Sequence, residues 1–474
     1  MRVSQYYKLG LEQPFLDFLD VPIDTDVPAF IDPTALKQMN SDWAHIAQSL
    51  MQSFFERVLE FIRNKEDQRA INHIAKLNEG NEFHLGLSKG ESKGHGFGPD
   101  NAVKVWKAIS SSRASQSGLL QDLEDTCLVI EGIGSDMISD AICNILRGPL
   151  IEYTQEMCRY YGIPMQPNIP SGPIWDGSQW TQRFTELPMT PKGKIILVPK
   201  IIARYNLSFR SDEYYRHYLL VEMQSEEIRR GSSLVHYLKD GTPRVTKTDL
   251  MDRYGSDKAA VERQTLTFPT ILQAYKNDKL KHPILPLDHE DIAELTNAKN
   301  IDWDALITEL KSISPGKAQA YAYEECVERI ATAIFYPSLT YPSKQTPIHN
   351  GRKRIDITYT NEARRGFFFW VQQNYSAAKI FIECKNYEND PKNPEIDQLA
   401  GRFNPSRGKV GILIHRTCLD PNELATRCKD TAQDDRGFIL TLTDDDLIEL
   451  INERRSSEFP EYRILRDKFD KLIM

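Results

Sequence analysis

The feature that most constrains this chain is the succession of short apolar runs and helical patterns in residues 315–474. EECVERIATAIF has the apolar spacing of an amphipathic helix, and KRIDITYT alternates as a strand does. AAKIFIECKNY is a run of β-branched and aromatic residues that reads as a strand, and NPEIDQLAGRF starts a helix behind Asn393-Pro394. VGILIH is a short buried strand, and GFILTLTDDDLIELINERR is a strand followed by a helix that begins at Thr443-Asp444. Periods of two and of 3.6 place side chains on different faces, so this order specifies a mixed α/β (α+β) chain. The Pro-Gly break in ISPGKAQ, residues 313–319, sets the boundary of a domain at 315–474.

Upstream, residues 1–225 read as a mixed α/β domain suited to sensing, regulation or oligomer formation, and 226–314 as a helical middle segment. Ser41 to Asn64 and Ser135 to Tyr161 are expected helices, the second broken near Gly148-Pro149, and KIILVPKIIARY is an expected strand or interrupted pair. No apolar run approaches the roughly 20 residues that span a bilayer, and the N-terminus places charges where a signal peptide needs an apolar stretch, so a soluble cytoplasmic protein without a membrane partner is expected. The seven cysteines contain no CxxC pair, which argues against a thiolate zinc site.

The net charge of −8 hides a local excess of cations. Between Arg352 and Arg416 twelve Lys and Arg face seven Asp and Glu, a balance of +5 suited to a polyanion. Within that window Glu383 and Lys385 stand two apart on one strand, so they share a face that Cys384 does not. Asp356 sits in the preceding strand, and pairing of the two strands brings two carboxylates and an ammonium together. Such a group suits a hard divalent cation, Mg²⁺ or Mn²⁺, with Asp356 and Glu383 as ligands and the Cys384 carbonyl as a third. A metal there activates water and neutralises phosphate charge, with Lys385 orienting the water, which is the chemistry of phosphodiester hydrolysis.

The residues Asp356…Glu383-Cys384-Lys385, with the order helix, strands, helix, strand, resemble the PD-(D/E)xK superfamily of restriction-endonuclease-like nucleases over roughly residues 318–450. The resemblance implies an α-β-β-β-α-β core. It also implies a glutamate on the first helix, for which Glu324 matches, with Glu325 and Glu328 as alternatives, and a glutamine of the Mrr-like branch, for which Gln398 matches. Arg402, one turn on, is expected to contact phosphate. Arg364, Arg365, Lys392 and Arg407 are the further expected nucleic-acid contacts, the first two within NEARRGFFFWVQQNYSAA, an insertion that interleaves charge with aromatics. Two departures stand out: Ile355 replaces the proline before Asp356, and the separation of Asp356 from Glu383 is long for the family.

Other motifs are weaker. The glycine-rich LGLSKGESKGHGFGPDN lacks the GK[ST] of a phosphate loop and reads as a flexible, ligand-responsive loop. Asp32, Asp136 and Asp140 read as helix caps before they read as a second site, RVTKTDLMDRYGSDKAAVERQT only vaguely matches a helix-turn-helix, and the histidines show no metal-ligand spacing. The expected function is a Mg²⁺-dependent endonuclease acting on DNA in restriction or antiphage defence. The resemblance also implies self-association, and the N-terminal domain suits a partner protein or trigger. A non-catalytic nucleic-acid-binding or assembly protein on the same fold, and an RNA-cleaving enzyme, are the alternatives.

Overall fold

A computed structural model of the chain describes residues 1–78, 80–86, 99–344, 356–458 and 460–474, without the side chains of residues 99, 100 and 356. Helix and strand are mixed along the chain, but not evenly. In the N-terminal region, α1 (Asp42–Asn64) begins where the Ser41 hydroxyl accepts the Ala44 N–H at 3.3 Å. Its Ala44, Ala47, Met51, Phe54, Phe55, Val58 and Phe61 are buried at helical spacing. The expected helix from Ser135 to Tyr161 is two, α2 (Ser135–Ile145) and α3 (Arg147–Tyr161). The break falls at Leu146 because Pro149 has no N–H, and its ring would crowd the carbonyl of Ile145, four residues back.

KIILVPKIIARY differs from the expected strand. Only Gly193–Lys194 and Ala203–Arg204 join ladders, each two residues long, while Ile195, Ile196, Leu197 and Val198 run buried without one. Pro199 offers no donor to a ladder, and a 3₁₀ turn at Lys200–Ile202 follows it. The segment 226–314 divides between two hydrophobic clusters: Leu250, Tyr275 and Leu295 join that of the N-terminal region, whereas Leu306, Leu310 and Ile313 join that of the C-terminal region. Within this segment α4 (Lys247–Tyr254) and α5 (Lys258–Thr267) are linked by a three-residue turn. Lys258 Nζ donates to the carbonyls of Ile130 and Ile133, and Glu262 accepts from Ser112 at 2.6 Å, so one side of α5 lies against the protein while Ala259, Arg263 and Thr267 on the other are exposed.

The C-terminal region runs α6 (Ala320–Phe335), β1 (Leu339–Lys344), β2 (Asp356–Asn361), α7 (Gly366–Asn374), β3 (Lys379–Lys385), α8 (Asn393–Ala400), β4 (Val410–His415), α9 (Pro421–Gln433), β5 (Phe438–Leu442), α10 (Asp444–Ser456) and α11 (Arg463–Ile473). The sheet has the order β1-β2-β3-β4-β5, antiparallel at its first two junctions and parallel at the last two. Helices on both faces account for the unbroken apolar character of β3 and β4. The insertion between β2 and β3 is core: Phe367, Phe368 and Val371 of α7 are buried, and the Arg466 guanidinium lies 3.4 Å over the Trp370 ring.

Strand β1 has no clear mark in the sequence, because Pro342 and a bulge between Thr340 and Ser343 interrupt its alternation. At that bulge Tyr341 adopts φ 50°, a left-handed conformation unusual for a bulky residue. Its ring stands 5.7 Å from Trp43 and 5.5 Å from Tyr153, and its N–H donates to Asp17 Oδ1 at 3.0 Å. The Tyr153 hydroxyl donates to the other Asp17 oxygen at 2.8 Å. A residue of the C-terminal sheet thereby inserts into the core of the N-terminal region. Burial at this junction pushes the Asp17 carboxyl up and the neighbouring Lys200 down to about 7.

Candidate active site

Strand β3 is central, with both of its edges paired. The register sets Asp356 opposite Glu383 across the antiparallel ladder, and directly opposite positions of such a pair lie on one face of a sheet. The Asp356 side chain itself is outside the described residues. On the parallel side Glu383 stands beside Leu413 and Lys385 beside His415. Glu383 is 1% exposed, and its two oxygens take two cations: Lys385 Nζ pairs with Oε1, and Arg402 Nη2 lies 3.6 Å from Oε2. A buried carboxylate is retained only when such partners offset its desolvation. Arg402 reaches it from the turn after α8, and Gln398, one helical turn earlier, is half-buried.

Cys384 points away from this group and is buried. Burial first, then the charge of Glu324, pushes its thiol well above the ordinary range, so it stays protonated and its sulfur is no anionic ligand. Glu324 is half-buried on α6, which packs against β3. Glu325 is exposed, whereas Glu328 accepts from the Tyr160 hydroxyl at 2.5 Å and from Lys344 Nζ at 3.1 Å. The trio of Tyr160, Glu328 and Lys344 ties α3 to α6 and β1 and was not legible in the sequence, since partners 168 residues apart share no local pattern. Among the described residues no group of three or more His, Cys, Asp or Glu side chains is arranged to hold a metal.

The expected polyanion contacts divide. Arg365, Lys392 and Arg407 are exposed. Arg364 is not available: its guanidinium donates to Gln38 Oε1 and to the Ala35 carbonyl at 3.1 Å, and burial pushes its pKa down to about 10. It belongs to the contact with the N-terminal region, as does Glu362, which accepts from the Asn40 N–H at 3.0 Å.

The other candidate features fare as follows. Asp32 caps the short helix Pro33–Leu36, accepting from Thr34 N at 3.0 Å, and Asp136 lies in the first turn of α2, with Asp140 one turn on. The glycine-rich segment at 87–98 lies outside the described residues. Residues 8–210 match a family described as a domain of unknown function (DUF8370), and no curated protein and no solved structure matches the chain.

Proposed function

We propose that residues 315–474 are a metal-dependent nuclease of the restriction-endonuclease-like kind, hydrolysing DNA phosphodiester bonds, and that the N-terminal region restrains or directs it. The observation that carries this reading is the register that sets Asp356 opposite Glu383, with Lys385 two residues on. The order α6, β1, β2, β3, α8, β4 supports it, as does the packing of α6, the helix that carries Glu324, against β3. Carboxylate oxygens at Glu383, Glu324 and position 356 are hard donors, which fit Mg²⁺ or Mn²⁺. Held there, the ion supplies Lewis acidity toward a phosphate oxygen. Lys385 orients the attacking water or holds its proton, Arg402 turns its guanidinium from Glu383 to the phosphate, and Gln398 steadies the group from α8. A role in restriction or antiphage defence follows from the resemblance alone.

The ion pairs on Glu383 favour a second reading, in which the same surface binds nucleic acid without cutting it. Incubation of supercoiled plasmid with the full chain in Mg²⁺ or Mn²⁺, beside an EDTA control and the Glu383→Ala, Lys385→Ala double variant, separates the two. Nicking or linearisation by the wild type, reduced at least about 10²-fold in the variant, is the expected result. Salt-dependent binding with every DNA and RNA substrate left intact selects the second reading.

A further inference from the structure

A cavity of about 500 Å³ opens beyond the carboxyl ends of β4 and β5, where α9 and α10 begin, with α11 closing one side. Its size is that of a small-molecule site. His415, the last residue of β4, lines it and is 2% exposed. The ring Nδ1 lies 2.9 Å from the Thr417 carbonyl, which only accepts, so Nδ1 carries the proton and Nε2 is a bare lone pair. Among the described residues no donor meets that lone pair. Burial holds the imidazole below its ordinary pKa, consistent with a neutral acceptor.

The remaining walls have three kinds of chemistry. Lys468 and Lys471 are three apart on α11 and both line the cavity. Lys468 is held by Asp446 at 3.0 Å, whereas Lys471 is exposed and has no ion partner among the described residues. Asp445, in the first turn of α10, adds an exposed carboxylate, and Leu424 and Leu472 supply an apolar wall. An occupant that uses all three needs hydroxyl or amino donors, one anionic group and an apolar part. Inorganic phosphate leaves the two acceptors unused, and an apolar ligand leaves Lys471 unused.

We propose that this cavity binds a nucleotide carrying a single phosphate, with the phosphate on Lys471, sugar hydroxyls given to His415 Nε2 and Asp445, and the base against Leu424 and Leu472. The site is one strand away from Lys385, since His415 is its register partner, yet it shares no residue with the Glu383 group. The inference therefore stands or falls apart from the nuclease reading.

The test is isothermal titration of the full chain in EDTA, which removes any cleavage, with 5′-nucleoside monophosphates, the bare nucleosides, inorganic phosphate and 5′-phosphorylated dinucleotides as separate probes. At least one monophosphate binds, and its nucleoside binds about tenfold more weakly. Lys471→Ala weakens the monophosphate about tenfold and leaves the nucleoside unchanged, while His415→Phe weakens both. Lys471 is exposed, so its variant folds whether or not His415→Phe does, and thermal melts check each. Tighter binding of the dinucleotide identifies a nucleic-acid end as the source, and tighter binding of the monophosphate a free nucleotide. The proposal is overturned if no monophosphate binds at millimolar concentration, if inorganic phosphate binds as tightly, or if Lys471→Ala binds like the wild type.

Discussion

The two regions bury apolar residues by different means. In the C-terminal region a five-stranded sheet gives every buried residue of β3 and β4 a ladder, whereas Ile195 to Val198 in the N-terminal region are as deeply buried with none. Ile195, Ile196, Leu197 and Val198 bond instead to four scattered partners, Pro188, Glu82, Thr154 and Leu19, so apolarity reports burial, and a strand only where one neighbouring segment supplies the hydrogen bonds in register. The difference also bears on where chemistry can be built. A ladder fixes which residues stand opposite one another, as it does for Asp356 and Glu383, and a one-residue slip would exchange every side chain between faces.

The largest test of this contrast is a pair of cavity-forming substitutions. Ile412→Ala in β4 and Ile196→Ala in the unladdered stretch each remove a side chain no more than 1% exposed. If burial alone sets the cost, both destabilise by about 2–5 kcal/mol in denaturant unfolding. A much smaller loss for Ile196→Ala would show that the N-terminal region yields around the gap and that the ladder matters to rigidity.

A smaller effect is expected at Gly437, which has φ 116° just before β5. A Cβ there would lie 2.2 Å from Phe403 Cδ2 and 2.8 Å from the Lys409 carbonyl. Gly437→Ala should cost about 1–3 kcal/mol, read as a lower melting temperature, and a neutral result would mean that the start of β5 is not held by the sheet.

Two buried groups, one in each region, should respond to pH in opposite senses. His73, stacked on Phe54 and accepting from Trp180 Nε1 at 3.1 Å, is pushed down by burial to about 4. As pH falls from about 6.5 toward 4, the unfolded chain takes up a proton that the folded site refuses, so the contribution of His73 to stability is lost. Asp444 is pushed up by burial to about 6, although Tyr323 and Arg416 act against the shift. Its folded form keeps a proton that the unfolded chain releases near pH 4, so the contribution of Asp444 to stability is lost as pH rises from about 4 to 6. Melting curves across pH 4–7, with Asp444→Asn flattening the second trend and His73→Phe the first, check both signs. One cooperative transition with a single pH slope would show that the regions do not unfold separately.

The smallest effect is at the surface. Arg455 pairs with Asp304 at 2.9 Å where both side chains are more than half exposed, and Arg455→Ala should cost about 0.2–1 kcal/mol or less in low salt and nothing measurable in high salt. A salt-independent loss would indicate that the contact locks α10 through packing.

What the sequence discloses follows the same division. The strands at 379–385, 410–415 and 438–442 are legible because residues buried on both faces make unbroken apolar runs, and the ExK spacing is visible because it lies within one of them. The opposition of 356 to 383 is a property of register, which depends on the partner strand. The role of Arg364 was misread because Gln38 and Ala35, its partners, lie more than 300 residues upstream. Local charge counts cations without showing which are already held inside the protein, and β1 was hidden by the proline and bulge at its centre.

That bulge has a practical consequence for dissecting the chain. Strand β1 is one of the two outer strands of the sheet, and Tyr341 anchors it in the N-terminal region. A fragment beginning near residue 315 would leave that aromatic ring in water and a row of backbone donors and acceptors without cover, which invites edge-to-edge pairing between fragments. Severed from its companion, the sheet is a candidate for aggregation, so an inactive fragment preparation would report the loss of a chaperoning surface before it reported anything about catalysis.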